Sequence, residues 1–401
     1  MRFHTTRNFF ILILGFLLSA CATNYGKVPH ARFIADKRCT TEPTQDAATL
    51  SDAALFLVTS RLPDCRSDLL TLTNFRSEQV RYGRLDQPRP GIDKRQPKMI
   101  VPLSFQGEER WWADLESAMA KGDGRVLVYV HGYRETVVSN SRDSFQMKRL
   151  TEFAGPIIQY SWPSQGALFS YLVDETNLYW DERNFRRFLT KLATRPWTKE
   201  IVLVSHSMGA RIVIPAVEFV DRNSANVDSS NISNIILASP DADRQDFERD
   251  IAEEILSARR VANNRRITVY VSRKDRALGL SRRLHGYPRL GSPFCFDPSE
   301  AKALKAQNLP VRCYAVTSRA DIASAQSGLT IVDTTDVGGK NTGHSDFLKT
   351  APGCLDFKAV VGGERGPISG RLPTRLSHVF ALPKRQKVSQ KEELRRCRRD
   401  G

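Results

Sequence analysis

The feature that most constrains the fold is a regular alternation of apolar runs with amphipathic segments. Runs such as RVLVYVHG (125–132) and EIVLVSHS (200–207) are almost continuously apolar, which is typical of strands covered on both faces. Segments with helical spacing of apolar residues, such as 141–155 and 176–195, lie between such runs. This alternation predicts an α/β fold, with a mostly parallel sheet and helices on both of its faces.

The same reading extends along the chain. Further strands are predicted at 54–61, 156–163, 231–241, 266–275 and 328–335, and further helices at 208–220, 246–260 and 301–307. Residues 80–86 and 99–105 are predicted to extend one edge of the sheet. Pro215 lies inside the 208–220 segment and predicts a kinked or weakened helix there.

Composition and charge describe a large, basic globular protein. The chain has 401 residues, of which 41% are hydrophobic and 26% charged, and its net charge is +16. This length is sufficient for a large core. The basic balance suits anionic surfaces, but there is no zinc-finger spacing and no RNP-like aromatic run, so we expect no nucleic-acid partner. We interpret the charge as a solvated surface, with binding to anionic lipid or cell-wall polymer as the alternative.

The N-terminal residues have the pattern of an export signal. Two arginines precede the apolar run 9–18, which is too short to span a bilayer as a permanent helix. Small residues then precede Cys21, and the whole segment resembles the bacterial lipoprotein signal. The resemblance implies that residues 1–20 are removed and that acyl chains on Cys21 hold the protein on a membrane. By the usual sorting pattern of such proteins, Ala22 rather than aspartate after the cysteine favours the outer membrane over the inner one, so we expect the protein on the periplasmic face of the outer membrane.

We predict four segments along the chain: a signal peptide at 1–20, a polar tether at 21–50, an α/β domain at 51–382 and a basic, disordered tail at 383–401. Six cysteines remain after Cys21, in a compartment that permits disulfides. Proximity favours the pairs Cys39–Cys65 and Cys295–Cys313, and Cys354–Cys397 is the pair that remains. None of these cysteines has metal-ligand spacing, so we expect no metal and no cofactor.

Ser207 is the candidate nucleophile. Ligands of open parallel sheets bind at the carboxyl ends of the strands, and the sequence SHSMG lies where a predicted strand meets a predicted helix. It is similar to the G-x-S-x-G turn that exposes a catalytic serine, with Ser205 in place of the first glycine. The alternative interpretation is that Ser207 is an ordinary small residue at a tight bend.

His344 is the candidate general base, because it lies in a glycine-rich loop after a late strand. His378, on a possible strand near the C-terminus, is the second choice. For His131 and His206 a role in holding loops by hydrogen bonds is favoured, and His285 is interpreted as a structural or substrate-loop residue.

The acid is the least constrained member of the site. Asp275 follows the strand two after that of Ser207, which is the commonest arrangement, whereas Asp241 follows the very next strand. We favour Asp275 and keep Asp241 as the alternative acid. Asp243 ranks behind both and is more typical of a helix N-cap. The order Ser, Asp, His along the chain is that of α/β hydrolases.

Backbone donors and aromatic residues complete the predicted site. The turn directs the backbone N–H of Met208 at a developing oxyanion, and the backbone N–H of Tyr133 is the second candidate donor. Four aromatic residues are candidates for lining an acyl pocket, with core packing as an equally good interpretation: Tyr133, Trp162, Phe169 and Tyr171.

The motifs together resemble a bacterial family of uncharacterised α/β hydrolases described as esterase- or lipase-like. The resemblance covers about residues 54–350 and rests on VYVHGY, YSWPS, SHSMG, ILASPDAD, VSRKDRALGLSRRLHG and TGHSDF. It implies the hydrolase fold and a serine-hydrolase mechanism with Ser207 as the nucleophile.

Our hypothesis is a membrane-tethered serine hydrolase that cleaves carboxylic esters, including acyl lipids, through an acyl-enzyme. The alternatives are a non-catalytic envelope lipoprotein that binds a partner or a polymer, and an amidase or peptidase with the same triad. The sequence does not indicate an oligomeric state.

Overall fold

A computed structural model describes most of the predicted α/β domain. The described residues are 50–51, 53–64, 70–91, 98–223, 231–248, 255–257, 260–261, 264–292, 328–337, 343–364, 368–374, 378–384, 389, 392 and 395–397. The predicted signal peptide, the tether before residue 50 and the predicted helix 301–307 lie outside them. Five cysteines also lie outside: Cys21, Cys39, Cys65, Cys295 and Cys313.

One large sheet organises the described residues. Its strands in chain order are β1 (Leu55–Asp64), β2 (Thr71–Leu85), β5 (Leu103–Gln106), β6 (Arg125–Val130), β7 (Ile157–Ser161), β8 (Glu200–His206), β9 (Ile232–Ala238), β10 (Arg266–Val271), β11 (Leu329–Asp333), β12 (Leu372–Pro373) and β13 (Val379–Ala381). A small separate sheet pairs β3 (Arg89–Pro90) with β4 (Met99–Ile100).

The large sheet is mostly parallel, as predicted. Its strand order is β12-β13-β11-β10-β9-β8-β6-β7-β1-β2-β5. The neighbours from β13 to β1 all pair in parallel, whereas β12, β2 and β5 add antiparallel pairs at the two edges. The carboxyl ends of the central strands therefore meet at one edge of the sheet, where the predicted site residues lie.

Helices connect the parallel strands. The helices are α1 (Glu108–Ala120), α2 (Val137–Thr151), α3 (Tyr171–Ala193), α4 (Ala210–Asn223), α5 (Arg276–His285), α6 (Asp346–Lys349) and α7 (Ala351–Gly362). Helices α1, α5, α6 and α7 were not predicted. At the start of the helix predicted for 246–260 the structure describes the helical turn Arg244–Asp246, and the described residues 247–248, 255 and 260 within the predicted range are also helical.

The two faces of the sheet bury separate apolar clusters. Along β6, Val126 and Val128 join one cluster, and Leu127 and Tyr129 join the other, because successive side chains of a strand point to opposite faces. The first cluster includes apolar residues of α1, α3 and α4, and the second includes those of α2 and α7. Burial on both faces explains why the central strands are almost continuously apolar.

An ion pair fixes α4 against the start of β10. Asp221, in the last turn of α4, accepts both guanidinium nitrogens of Arg265 at 3.0 Å each, and both side chains are buried. Such a two-point pair is geometrically specific, and its removal would leave a buried charge without its partner. It holds in place the helix that follows Ser207.

A disulfide attaches the basic tail to the domain. Cys397 is buried and disulfide-bonded to Cys354 in α7, which is the pair that remained after the two pairs favoured by proximity. Within the segment 383–401, for which a disordered tail is predicted, Cys397 is thus held by a covalent bond and by burial. Across the described ranges, no helix has the length and apolar character needed to cross a membrane.

We predict that Asp221→Ala lowers the free energy of unfolding by about 3–5 kcal/mol, because it removes the buried carboxylate that pairs with both Arg265 and Arg260. Urea denaturation measures this change. The control is Glu182→Ala, which removes a half-exposed partner of Arg186 and is expected to change stability by less than about 0.5 kcal/mol. Equal losses in the two variants would contradict the prediction.

Candidate active site

Ser207 occupies a sharp turn between β8 and α4. It follows the last residue of β8, opens a short 3₁₀ turn at Ser207–Gly209, and has a positive φ of 52°. A non-glycine residue in the left-handed region is uncommon, and such strain is held only where the surrounding structure fixes it. The turn therefore raises Ser207 out of the strand at the carboxyl edge of the sheet.

Two glycines allow the backbone to crowd around this turn. A Cβ atom on Gly132, in the loop after β6, would lie 2.7 Å from Ser207 Cβ. A Cβ atom on Gly209 would lie 2.6 Å from the carbonyl oxygen of His131. Side chains at these positions would displace either the turn or the loop, so both positions require glycine.

Ser205 takes the place of the first glycine of the expected motif without such crowding. It lies inside β8, where it pairs with Val130 on one side and Leu237 on the other. Its side chain is fully buried, and its hydroxyl has no hydrogen-bond partner among the described residues. The substitution is therefore accommodated in the strand and not in the turn.

The carboxylate that contacts His344 belongs to Asp275. His344 Nδ1 lies 2.6 Å from Asp275 Oδ2, and the Asp275 side chain has no solvent exposure. The other oxygen, Asp275 Oδ1, accepts the backbone N–H of Leu278 at 3.0 Å and thereby caps the N-terminus of α5. Both oxygens are engaged, which fixes the orientation of the imidazole.

The charges around His344 favour its protonated form. Burial lowers the pKa of the imidazole, but the Asp275 carboxylate and its hydrogen bond outweigh burial, so the pKa of His344 lies above the ordinary 6.5.

His206 connects the serine turn to His344. His206 Nε2 donates a hydrogen bond to the backbone carbonyl of His344 at 3.0 Å, and the two ring centroids are 4.8 Å apart. Burial and the neighbouring His344 lower the pKa of His206 to about 3, so this ring is neutral at physiological pH. Among the described residues, no hydrogen bond joins Ser207 Oγ to the His344 ring.

Asp241, the alternative acid, makes other contacts. Arg289 Nε donates to Asp241 Oδ1 at 2.8 Å, and Arg211 Nη2 lies 3.2 Å from Asp241 Oδ2. Burial raises the pKa of this carboxyl, but the two guanidinium groups outweigh burial and lower it. Its backbone N–H donates to the Ser207 carbonyl at 2.9 Å, so Asp241 supports the turn without touching His344. Asp243 caps the helical turn that follows, as its position predicted.

The two predicted oxyanion donors lie on the segments that meet at Gly132. Met208 follows Ser207 in the 3₁₀ turn, and Tyr133 follows Gly132 in the loop after β6. Within the described residues, neither backbone N–H donates to a protein acceptor. Two uncommitted donors beside a serine can receive negative charge on a bound group.

Asp174, which the sequence did not single out, holds the loop that carries Tyr133. Its buried carboxylate accepts the backbone N–H of Arg134 at 3.1 Å, the hydroxyl of Ser164 at 2.6 Å and the backbone N–H of Gln165 at 2.6 Å. These bonds tie the loop after β6 to the loop after β7.

Arg61, also missed, lies fully buried in β1 and fixes the same two loops. It donates through Nη2 to the Glu135 carbonyl at 2.8 Å and through Nη1 to the Ser164 carbonyl at 3.1 Å. Burial lowers the pKa of Arg61 to about 10, so the guanidinium remains charged at neutral pH. A single arginine or aspartate between polar residues gives no sequence signal for such a role.

Comparison with known families decides the classification. Residues 108–351 match the family described as "Alpha/beta hydrolase of unknown function (DUF900)". The chain belongs to this α/β-hydrolase family. No curated protein matches the sequence.

Solved structures give weaker similarities to this α/β hydrolase. Phospholipase PlaB from Legionella pneumophila in complex with thio-NAD is 14% identical over 38% of each chain, with a TM-score of 0.27. The chain thus spans 38% of the length of that phospholipase. A predicted CIB-like hydrolase from Thermoplasma acidophilum is 14% identical, over 53% of this chain and 78% of its own, with a TM-score of 0.25. A lipase-esterase related protein from Clostridium acetobutylicum is 14% identical, over 67% and 87%, with a TM-score of 0.24.

The aromatic residues proposed for an acyl pocket occupy different environments in this α/β hydrolase. Trp162 is fully buried and stacks on His131 at a centroid distance of 4.8 Å, so core packing, the alternative interpretation, is the one observed for this residue. Phe169 is 88% exposed and lies on the surface. Tyr133 and Tyr171 are partly buried and contact each other, with ring centroids 5.2 Å apart.

The remaining histidines have structural contacts. His131 places Nε2 3.1 Å from the Trp162 carbonyl, and burial lowers its pKa well below 6.5. His285 Nε2 lies 2.9 Å from Glu175. His378, the second choice for the base, precedes β13 and so lies at the amino end of a parallel strand, opposite the serine turn. Within the described ranges, no group of three or more His, Cys, Asp or Glu side chains is arranged to hold a metal ion.

We predict that an NMR titration of the imidazole carbons gives His344 a pKa above 6.5 and that Asp275→Asn lowers it, because the carboxylate charge is lost. His206 is an internal control, which is expected not to titrate above pH 5, since its pKa is about 3. A His344 pKa that is unchanged in Asp275→Asn would contradict the prediction.

The raised pKa of His344 also sets the sign of a stability change. A histidine with a raised pKa in the folded state stabilises the fold fully below its unfolded pKa, and this contribution is lost as the pH rises through the folded pKa. The contribution of the His344–Asp275 pair should therefore fall on the alkaline side of 6.5.

Proposed function

We propose that this protein is a membrane-tethered serine hydrolase that cleaves carboxylic esters through an acyl-enzyme. The observation that carries the proposal is the Ser207 turn, with its positive φ, between a parallel strand and a helix. The His344–Asp275 pair at 2.6 Å, whose imidazole contacts the ring of His206 directly before Ser207, supports the same conclusion. A serine, an oriented imidazole and two backbone donors are the groups that acyl transfer requires.

In the proposed mechanism His344 acts through Nε2, because Nδ1 is engaged by Asp275. Nε2 accepts the proton of Ser207 as Oγ attacks the ester carbonyl carbon. Asp275 keeps the imidazole in the required tautomer and stabilises the imidazolium, without taking the proton. The absence of a Ser207–His344 hydrogen bond does not oppose this role, since such bonds are often long before substrate binds.

The charge on the tetrahedral intermediate would be received by the backbone N–H groups of Met208 and Tyr133. Removal of one such donor typically lowers the rate by about 10²–10³. His344 then returns the proton to the leaving alcohol, and the carbonyl re-forms as the acyl-enzyme. Water, deprotonated by the same imidazole, attacks the acyl group and releases the acid together with free Ser207.

The tether is proposed from the sequence alone. The segment before Cys21 resembles a lipoprotein signal, and acyl chains at that residue would hold the enzyme on the periplasmic face of the outer membrane. An ester within an acyl lipid is then the substrate class nearest to the site.

We predict that a fluorophosphonate probe labels the wild-type chain and that Ser207→Ala abolishes labelling, because the probe phosphonylates an activated serine. The matched control is Ser205→Ala, two residues away and buried in β8, which should keep labelling. Labelling that is equal in wild type and Ser207→Ala would contradict the proposal and would favour a non-catalytic binding protein.

A comparison of two substrate classes identifies the scissile bond. The turnover of p-nitrophenyl esters of increasing acyl length by wild type is compared with its turnover of the matched p-nitroanilides. Turnover of the esters alone supports the proposal, whereas preferred turnover of the anilides would show an amidase.

The acidic limb of the pH profile of kcat/KM should lie above 6.5, because His344 must be neutral to act as a base.

We predict that Cys21→Ser prevents incorporation of an alkynyl fatty acid and moves the chain from the membrane fraction to the soluble fraction, because the acylated sulfur is lost. Ala22→Ser is the control and should change neither result. Full incorporation of the fatty acid in Cys21→Ser would contradict lipidation at this residue.

A further inference from the structure

Large apolar side chains are exposed beside the candidate active site and concentrate in two segments. Among the described residues, nine large hydrophobic side chains are strongly exposed, and six of these lie either at 168–172 or at 280–287. They are Leu168, Phe169 and Leu172 in the first segment, and Leu280, Leu284 and Tyr287 in the second. Single exposed apolar residues are ordinary, but a concentration of this kind marks an interaction surface.

The two segments are held together. The Tyr171 hydroxyl lies 2.9 Å from Ser281 Oγ of α5, and the Tyr171 ring contacts the His285 ring at a centroid distance of 5.8 Å. Tyr171 lies between Phe169 and Leu172 in the chain, whereas Ser281 and His285 flank Leu284. The fold therefore places both exposed segments on adjacent elements.

Each segment is also attached to a group of the candidate site. The hydroxyl of Tyr133, whose backbone N–H is a proposed oxyanion donor, donates to the carbonyl of Leu168. Asp275, the partner of His344, caps the helix that carries Leu280 and Leu284. The exposed apolar residues thus border the residues proposed to do the chemistry.

The charge of α5 indicates what covers this surface. The helix sequence RALGLSRRLH contains three arginines and no acidic residue, and Arg276 and Arg283 are exposed on the same helix as the two leucines. An exposed helix face that combines leucine and arginine suits a bilayer with anionic head groups, where the apolar side chains enter the acyl boundary and the guanidinium groups remain at the phosphates. A soluble partner surface would not require both features on one short helix.

We propose that residues 168–172 and 276–287 form one membrane-contact surface that seats the site on an anionic phospholipid bilayer. The proposal deepens the proposed function, because it makes a lipid held in the bilayer the substrate, but the contact itself does not depend on catalysis. Tethering by Cys21 would bring the domain near the bilayer, whereas this surface would orient it.

The test uses tryptophan reporters in the full-length chain with vesicles that carry brominated acyl chains, which quench tryptophan only on contact. Phe169→Trp and Leu284→Trp report on the two segments, and Leu372→Trp is the matched control, since Leu372 is as exposed as Leu284 (50% and 53%) but lies on the edge strand β12. The parent chain gives the background of its five native tryptophans.

We expect vesicles of phosphatidylglycerol and phosphatidylcholine to quench Trp at 169 and at 284 but not at 372. The double variant Arg276→Glu/Arg283→Glu should weaken quenching, so that at least tenfold more lipid is required, whereas Arg110→Glu/Lys121→Glu, on α1 and at its C-cap, should not. Quenching at 372 equal to that at 169, or quenching at only one of the two segments, would overturn the single surface. A change in tryptophan fluorescence that depends on protein concentration and not on vesicles would overturn the membrane-contact surface and would indicate that a second copy of the chain covers it.

Hydrolysis of a soluble p-nitrophenyl ester by the same preparations separates this proposal from the proposed function. Ester turnover without quenching at 169 and 284 overturns the membrane surface and leaves the hydrolase intact. Quenching at both residues without labelling of Ser207 supports the surface and overturns the hydrolase.

Discussion

The crowding of backbone around Ser207 is the constraint on which the candidate site depends. Ser207 has a φ of 52°, and such a conformation persists only if neighbouring segments hold it. The loop after β6 approaches to a distance that only Gly132 allows, and the start of α4 approaches the same loop at Gly209. The turn, the oxyanion loop and the helix are therefore one packed unit, and Arg61 and Asp174 matter because they hold the loop side of it.

Asp275 connects the candidate base His344 to α5, the helix of the proposed membrane-contact surface. One oxygen engages His344 and the other caps α5, so a single buried carboxylate sets the position of the imidazole relative to the helix. Asp241, which follows the neighbouring strand β9, supports the serine turn. Its carboxylate pairs with Arg211 and Arg289, and its backbone N–H donates to the Ser207 carbonyl. The two carboxylates are thus alike in burial and differ in partners, which assigns them different roles.

That difference also marks what the sequence could and could not predict. Apolar runs predicted the central strands and the parallel sheet, since burial on both faces dictates their composition. Position at a strand end therefore placed Ser207, Asp241, Asp275 and His344 at one edge. The choice between the two acids depends on arginines 30 and 48 residues from Asp241 in sequence, and no local pattern reports such contacts. The exposure of Phe169 also could not be predicted, because the sequence around an aromatic loop residue does not distinguish a pocket from the protein surface.

Ser205 shows that the position two residues before the nucleophile is not where this turn requires a glycine. The usual motif places one glycine before the nucleophile, yet here that position lies inside β8 between Val130 and Leu237, and its side chain is fully buried. The close approach instead occurs at Gly132 and Gly209, which belong to different segments of the chain. The requirement is therefore one of contact between the β6 loop and the turn, and a serine before the nucleophile satisfies it as long as those two glycines remain.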